Sequence, residues 1–554
     1  MGLGNPGRPG RRRALQFMAA GAAAPVLAHL LPDDVLAAPA QRRAPWVPDT
    51  GDGWYRNPVL FADYSDPDVV RVGDDFFLVS SSFQCTPALP ILHSTDLVNW
   101  TIVGHAADRL PSPRYDVPQP GNGVWAPSLR VHDGRFWIYF GDPDLGILMT
   151  TATDPRGPWA PLVLVQDARG WIDPCPLWDD DGRAYLVHAW ARSRAGFNSI
   201  LTVRGMSPDG RHVEDERVDV FDGHADHPTI EGPKFYKRNG YYYIFAPAGG
   251  VSRGWQTVLR GRSVFGPYEG RVVLAQGRTE VNGPHQGAWV ETPSGESWFL
   301  HFQDRGAYGR VVHLQPMAWK DDWPVIGEDA DGDGTGEPVL RHTKPRGVRA
   351  SAIAVPQTSD DFTSRSLGVQ WQWNANSSPA WWSLRAVPGA LRLFAVTSPA
   401  GRAPLRATPN LLLQKFPAPE FTATATVDAS HLRDGERTGL VVMGADYAYV
   451  GVVRDGARVR VARATCLEAD AGAGEQVESG PDGAGALVHL RVRVTDGARC
   501  EFSVSTGGVL FSTIGNPFQT RAHRWVGVRV GLFASAPPDA PSHGSVDVQE
   551  FRIT

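Results

Sequence analysis

Residues 229–245 read TIEGPKFYKRNGYYYIF, in which Glu231 precedes Gly-Pro, a short apolar strand, a basic Arg-Asn-Gly turn and an aromatic strand. The pattern recurs along the chain. Asp66-Pro67-Asp68 leads into VVRVGDDFFLVSS, Ala126-Pro127 into SLRVHDGRFWIYF and Asp173-Pro174 into CPLWDDDGRAYLVHA. More loosely, His285-Gln286-Gly287 leads into AWVETPSGESWFLHF. Five copies at roughly 50–60-residue intervals are the signature of a blade-like β repeat. Each copy parses into four short strands; in the first they are PDVVRV, DFFLVSSS, ILHSTDL and TIVGHA. Between Trp46 and about Gly327 almost nothing has helical periodicity. The expected fold is all-β, opening with a five-bladed β-propeller in which each sheet is buried against its neighbours. Residues just before each innermost strand then converge on one axial opening, which brings together Asp66, Trp125, Asp173, Glu231 and His285.

Outward from the repeats, residues 1–40 read as an export signal of twin-arginine type. Arg12-Arg13 with Leu15 precedes a short apolar run, and Ala38-x-Ala40 fits small-residue cleavage. That run is shorter than the roughly 18 residues a membrane span needs, so the expected mature product is exported and has no membrane partner. After the propeller, placed at 41–345, residues 346–358 read as a linker. From 359 to 554, segments such as FTATATVDA and ALVHLRVRV alternate as in an antiparallel β-sandwich. A net charge of −5 over 554 residues, without long basic or acidic blocks, argues against a nucleic-acid partner. Nineteen tryptophans suit aromatic-lined recesses. Of the four cysteines, Cys85, Cys175, Cys466 and Cys500, the last two share the C-terminal region and are the candidates for pairing. Asp329, Asp331 and Asp333 have calcium-loop spacing, yet Leu340 stands where an EF-hand needs a bidentate acid, so a surface turn is expected.

Three of the five units carry an acid just before the first strand. Like charges at one recess push at least one carboxyl upward, which suits a general acid near neutral pH. Glycoside hydrolysis needs this division between a protonated carboxyl and an ionised carboxylate. Glu231, with the longer side chain, is read as the acid, Asp66 as the base and Asp173 as the group that orients the acid and holds its pKa. Asp-Pro is also a common turn opener, and Asp68, Asp179, Asp180 and Asp181 are read as turn residues. Trp125 is a candidate sugar-stacking platform, Arg310 a candidate contact to substrate hydroxyls, and His285 a candidate pKa tuner or metal ligand in the recess.

SDPD, WAPS, WIDPCP, IEGPKFY and GPHQGAWV, in this order and spacing, resemble glycoside hydrolase family 43, in particular its two-domain β-xylosidases and α-L-arabinofuranosidases. The resemblance runs from about Asn57 to the C-terminus, the second domain being similar to the concanavalin-like sandwich of such enzymes. It implies an inverting, single-displacement mechanism with Asp66 as base, Asp173 as pKa modulator and Glu231 as acid. The Asp66 and Glu231 carboxyls should then lie about 6.5–9.5 Å apart. It also matches His285 to a histidine that ligates a central calcium in some relatives, and Arg310 to a substrate-contacting arginine; no cofactor is required. Cys175 departs from the small residue common after this Asp-Pro. The expected activity is removal of terminal xylose or arabinose from plant cell-wall oligosaccharides. An endo-arabinanase and a non-catalytic carbohydrate-binding propeller are the alternatives.

Overall fold

Each repeat unit folds into one four-stranded antiparallel sheet whose strands pair in chain order. Blade one comprises Asp68–Val72, Asp75–Val79, Ala88–Ser94 and Thr101–Ala107. The innermost strands of blades two to five are Trp125–His132, Trp171–Trp178, Lys234–Arg238 and His285–Glu291. This computed structural model describes residues 44–398, 404–481, 485–540 and 543–554; the export segment read at 1–40 lies outside them. Within Arg43–Thr554, one compact unit, the five blades form the expected propeller.

Burial explains why the ring closes. Each seam between adjacent blades holds its own apolar cluster. Phe77, Leu129 and Ile138 join blades one and two, while Tyr139, Met149 and Leu186 join two and three. Val187, Phe235 and Ile244 follow at the third seam, Phe245, Val258 and Phe299 at the fourth, and Val69, Leu78 and Leu300 between blades five and one. Every sheet is thus covered on both faces, which removes the cost of an exposed apolar sheet. The chain ends of the propeller meet as a ribbon, Trp54–Arg56 against Arg341–Thr343. Asn57 pins that ribbon to blade five, donating to the Leu314 and Val339 carbonyls.

The C-terminal region is a sandwich of two eight-stranded sheets. Its alternation is legible in Phe421–Asp428, where every second side chain is buried against a core including Leu412, Val442, Val492 and Leu532. One pair, Val396–Thr397 with Arg529–Ala536, is parallel. Residues 346–358 do not hang free: Ala354 N–H donates to Asn99, and Gln357 bonds both backbone groups of Ile102. The sandwich docks onto the propeller through Asn376, which exchanges bonds with the Leu110 backbone, and through Gly527 N–H, which donates to Asp63 Oδ2 at 2.9 Å.

Two expectations are corrected here. Cys466 and Cys500 are free, buried thiols and do not pair; they lie on different sheets. Asp68 is no turn residue but fully buried; Asp179, Asp180 and Asp181 do lie in the turn closed by Asp179 and Arg183, with the Asp179 side chain covered by Lys237 and Tyr242 and Asp180 and Asp181 exposed. Both buried carboxylates have cationic partners, which is what offsets their desolvation.

Candidate active site

Strand entry positions the site. Asp66, Ala126, Asp173, Gly232 and Gln286 occupy equivalent places before the five innermost strands, and all have left-handed backbone, with φ of 55, 39, 57, 58 and 40°. In blades two, three and five the register slips there by a bulge, a device that re-aims a side chain. Aspartate tolerates this conformation better than most residues. Glu231 is therefore not at the same repeat position as the two aspartates, as the motif comparison suggested, but one residue earlier. The reason is steric: a Cβ at Gly232 would lie 2.7 Å from the Gln286 side chain. Gly232 has a second role, its N–H donating to Asp173 Oδ2 at 2.8 Å.

The three acids differ in environment. Asp66 is buried and clamped by three donors: Arg310 Nη1 donates to Oδ1 at 2.7 Å, and Ser81 and Ser65 hydroxyls to Oδ2 at 2.6 and 2.9 Å. Asp173 is buried as well, and burial, then the charge of Glu231, then that of Asp66 push its carboxyl well above the usual range. The Gly232 N–H and the Lys234 ammonium oppose that rise. Glu231 alone opens outward, its side chain 33% exposed, with Oε1 3.2 Å from His285 Nε2. The charge of each neighbour is felt at Asp173, so the topology does gather the three carboxyls.

Among the other expected residues, Arg310 is 7% exposed and its guanidinium serves Asp66 and Ser65. Trp125 is partly exposed, its indole N–H donating to Gly121 O, with Arg194 5.9 Å from its ring. His285 is fully buried, and its Nδ1 has no hydrogen-bond partner. Among the described residues no group of three metal-ligating side chains includes it, and one nitrogen does not make a site for a hard cation that takes six to eight oxygens. At the acidic loop, Asp329 accepts from Gly332 and Gly334 N–H, and its acids converge with Asp331 and Asp333 on an exposed turn.

Two features carried no sequence signal. Beneath the acids, the next inward ring is Asp68, Ser128, Cys175, Lys234 and Ala288, all fully buried. In it Asp68 Oδ2 accepts from Arg130 at 2.7 Å and faces Lys234 at 3.7 Å. Lys234 also donates to Pro127 O, and Arg130 reaches Cys175 Sγ. The charge pairing supports the floor under Asp173 and explains why a polar Cys175 is accommodated. At the mouth, the sandwich loop at 521–527 delivers Trp525, left-handed at φ 69° and 36% exposed, with its ring 5.3 Å from the Arg310 guanidinium. Asp63 ties this loop to the site by accepting from both Arg310 and Gly527 N–H.

The strain at Asp173 has a measurable consequence. A carboxyl raised in the fold binds a proton more tightly than in the unfolded chain. Its destabilising effect is therefore absent below the unfolded pKa and grows as pH climbs toward the folded value. Asp173→Asn keeps an acceptor for Gly232 N–H and should raise stability at pH 7 by about 1 kcal/mol, an effect that fades in acid while activity is lost. Melting of both proteins from pH 4 to 7 checks this; a variant less stable at pH 7 than at pH 4, relative to the parent, would contradict it.

Comparison with known proteins agrees with this architecture. The profile of "Glycosyl hydrolases family 43" matches residues 55–324, and "Beta xylosidase C-terminal Concanavalin A-like domain" matches 359–554. A "Putative beta-xylosidase" of Xylanibacter ruminicola is 41% identical over 88% of this chain and 87% of its own. The "Non-reducing end alpha-L-arabinofuranosidase BoGH43B" of Bacteroides ovatus is 32% identical over 74% of this chain and 78% of its own. The solved Bacteroides ovatus GH43B from a xyloglucan locus superimposes with a TM-score of 0.76 at 25% identity, covering 90% of this chain and 99% of that one. With its propeller, appended sandwich and three gathered carboxyls, the chain belongs to glycosyl hydrolase family 43 and is a glycosidase.

Proposed function

We propose that the protein is an exported, exo-acting glycosidase that releases terminal xylose or arabinose from plant cell-wall oligosaccharides with inversion. The observation that carries the reading is the division among the three carboxyls. Asp66 is clamped by donors from Arg310, Ser65 and Ser81, a setting that suits a base drawing a proton from water. Glu231 faces outward and is fit to protonate the leaving oxygen. Asp173, raised by burial and then by the charge of Glu231, retains a proton to higher pH than an ordinary aspartate, which suits a group that orients and tunes the acid. Inversion requires room for a water, about 6.5–9.5 Å between the Asp66 and Glu231 carboxyls. The relatives' names supply the pentose. Trp125 and Arg310 are assigned to substrate, and His285 to orienting Glu231.

Exo action is favoured over an endo-arabinanase by Trp525, which the sandwich places beside Arg310 at the mouth. A polymer threading through the recess would meet that loop. The chain divides accordingly into an export signal at 1–40, a catalytic propeller at 41–345, a linker at 346–358 and a sandwich at 359–554 that shapes the pocket. One experiment tests the reading. Culture medium and lysate are assayed on aryl β-D-xylopyranoside and aryl α-L-arabinofuranoside, and the anomer first released is followed by NMR. Activity in the medium, with the anomer opposite to that of the substrate, is expected. A retained anomer would make Asp66 a nucleophile, and hydrolysis of internal arabinan bonds alone would favour the endo-enzyme.

A further inference from the structure

In the sheet of the sandwich that faces the propeller, Leu412–Lys415 pairs antiparallel with Arg529–Ala536, and Lys415 lies directly opposite Arg529. Directly opposed residues share a face, and like charges there repel. Both cations are held out of water. Arg529 is 3% exposed, and Lys415 Nζ, Arg529 Nε and Arg529 Nη2 are buried without hydrogen-bond partners. Only Arg529 Nη1 is satisfied, donating to Gln372 Oε1 at 2.8 Å. Unpartnered donors of this kind are costly, and buried unpaired charges more so.

Among the described residues, no hydrogen bond or ion pair joins either cation to an acid. Asp63 is the nearby acid, and its two oxygens already accept from Arg310 and Gly527 N–H. The ring of Tyr64 lies 5.2 Å from Lys415 Nζ, and the thiol of Cys85 is close enough to influence it. His105 borders the same recess as Lys415 and is held neutral by burial, its pKa pushed down to about 3. Burial, then the charge of Arg529, push the Lys415 ammonium down to about 7. Lys415 borders a cavity of about 60 Å³, lined also by Tyr64, His105 and Gln372, and Arg529 borders one of about 30 Å³. Spaces of this size take a monoatomic ion or a few waters and are too small for a sugar.

We propose that the seam between propeller and sandwich binds a small monovalent anion, of the size of chloride, between Lys415 Nζ and the Arg529 guanidinium. Such an ion accepts from the three orphaned donors and cancels one of two opposed charges. Water would accept the same hydrogen bonds and leave the repulsion in place. The ion would also steady the contact through which Asp63 holds the Arg310 strand and the Trp525 loop. Its role is therefore structural and separate from the glycosidase reaction.

The test uses the full chain at constant ionic strength in sodium chloride, sodium bromide or sodium gluconate, whose anion is too large for the cavity. The melting temperature should be about 1–3 °C higher in chloride and bromide than in gluconate. Lys415→Met removes the buried unpaired cation. In that variant the melting temperature should be insensitive to the anion and at least equal to that of the parent in gluconate. Crystals soaked in bromide should show anomalous density within hydrogen-bond distance of Lys415 Nζ and Arg529 Nη2, a measurement that does not depend on the variant folding. Equal melting in chloride and gluconate, a halide response retained by Lys415→Met, or bromide density confined to the outer surface would each overturn the proposal.

Discussion

Glu231→Ala is expected to lower kcat on natural disaccharides by about 10²–10⁴-fold, the range typical of a lost general acid. The loss should shrink as the leaving group improves, because a nitrophenolate departs without a proton. The fold should survive the change. The Glu231 side chain is one-third exposed, and the loop that carries it is held by its own backbone, N–H to Pro247 O at 3.1 Å. The alkaline limb of the pH profile, which a general acid imposes by losing its proton, should vanish in the variant. A series of aryl glycosides spanning leaving-group pKa measures both effects. A uniform loss across the series would move the proton-donating role away from Glu231, with Asp173 the next candidate.

Asp66→Asn should instead depress kcat/KM by a similar factor on every substrate, whatever the leaving group, because the attacking water loses its base in each case. This variant also has a stability signature. The Asp66–Arg310 pair is buried on both sides, 5% and 9% exposed, and removing one partner of such a pair costs about 3–5 kcal/mol. Asp66→Asn paired with Arg310→Gln should recover much of that stability and none of the activity. Denaturant melts alongside kinetics separate the two roles. Activity restored by the double variant would mean that Asp66 serves to hold Arg310 and is not the base.

Much of this arrangement was legible in the chain. The strand-turn-strand unit declares itself five times, four of them opened by X-Pro and the fifth by Gln286-Gly287, because a blade needs a defined entry, an apolar inner strand and a tight turn at each repeat. The identity of the three acids follows from residues that stand out within those units. Asp68 and Lys234 were harder to read. Both occupy the inward position two residues after the left-handed one, and an ionised side chain there makes sense only when its partner on another blade is known. Cys466 and Cys500 invited pairing by proximity in sequence, but the sandwich sends them to different sheets. Gly527 and Asp63 lie more than four hundred residues apart in sequence and meet only because one domain docks on the other.

Sequence alone therefore determined the all-β class, the five-fold repeat, the following sandwich and the three carboxyls, since each is encoded by local chemistry: turn residues, alternation and residue type. Tertiary structure decided the rest. It set Glu231 one residue out of register with Asp66 and Asp173, because Gln286 of the next blade fills the space above Gly232. It chose which carboxyl is clamped, which is desolvated and which is open, and it set Lys415 against Arg529. Burial and charge pairing are properties of neighbours brought together by the fold, and those neighbours come from segments that no local pattern connects.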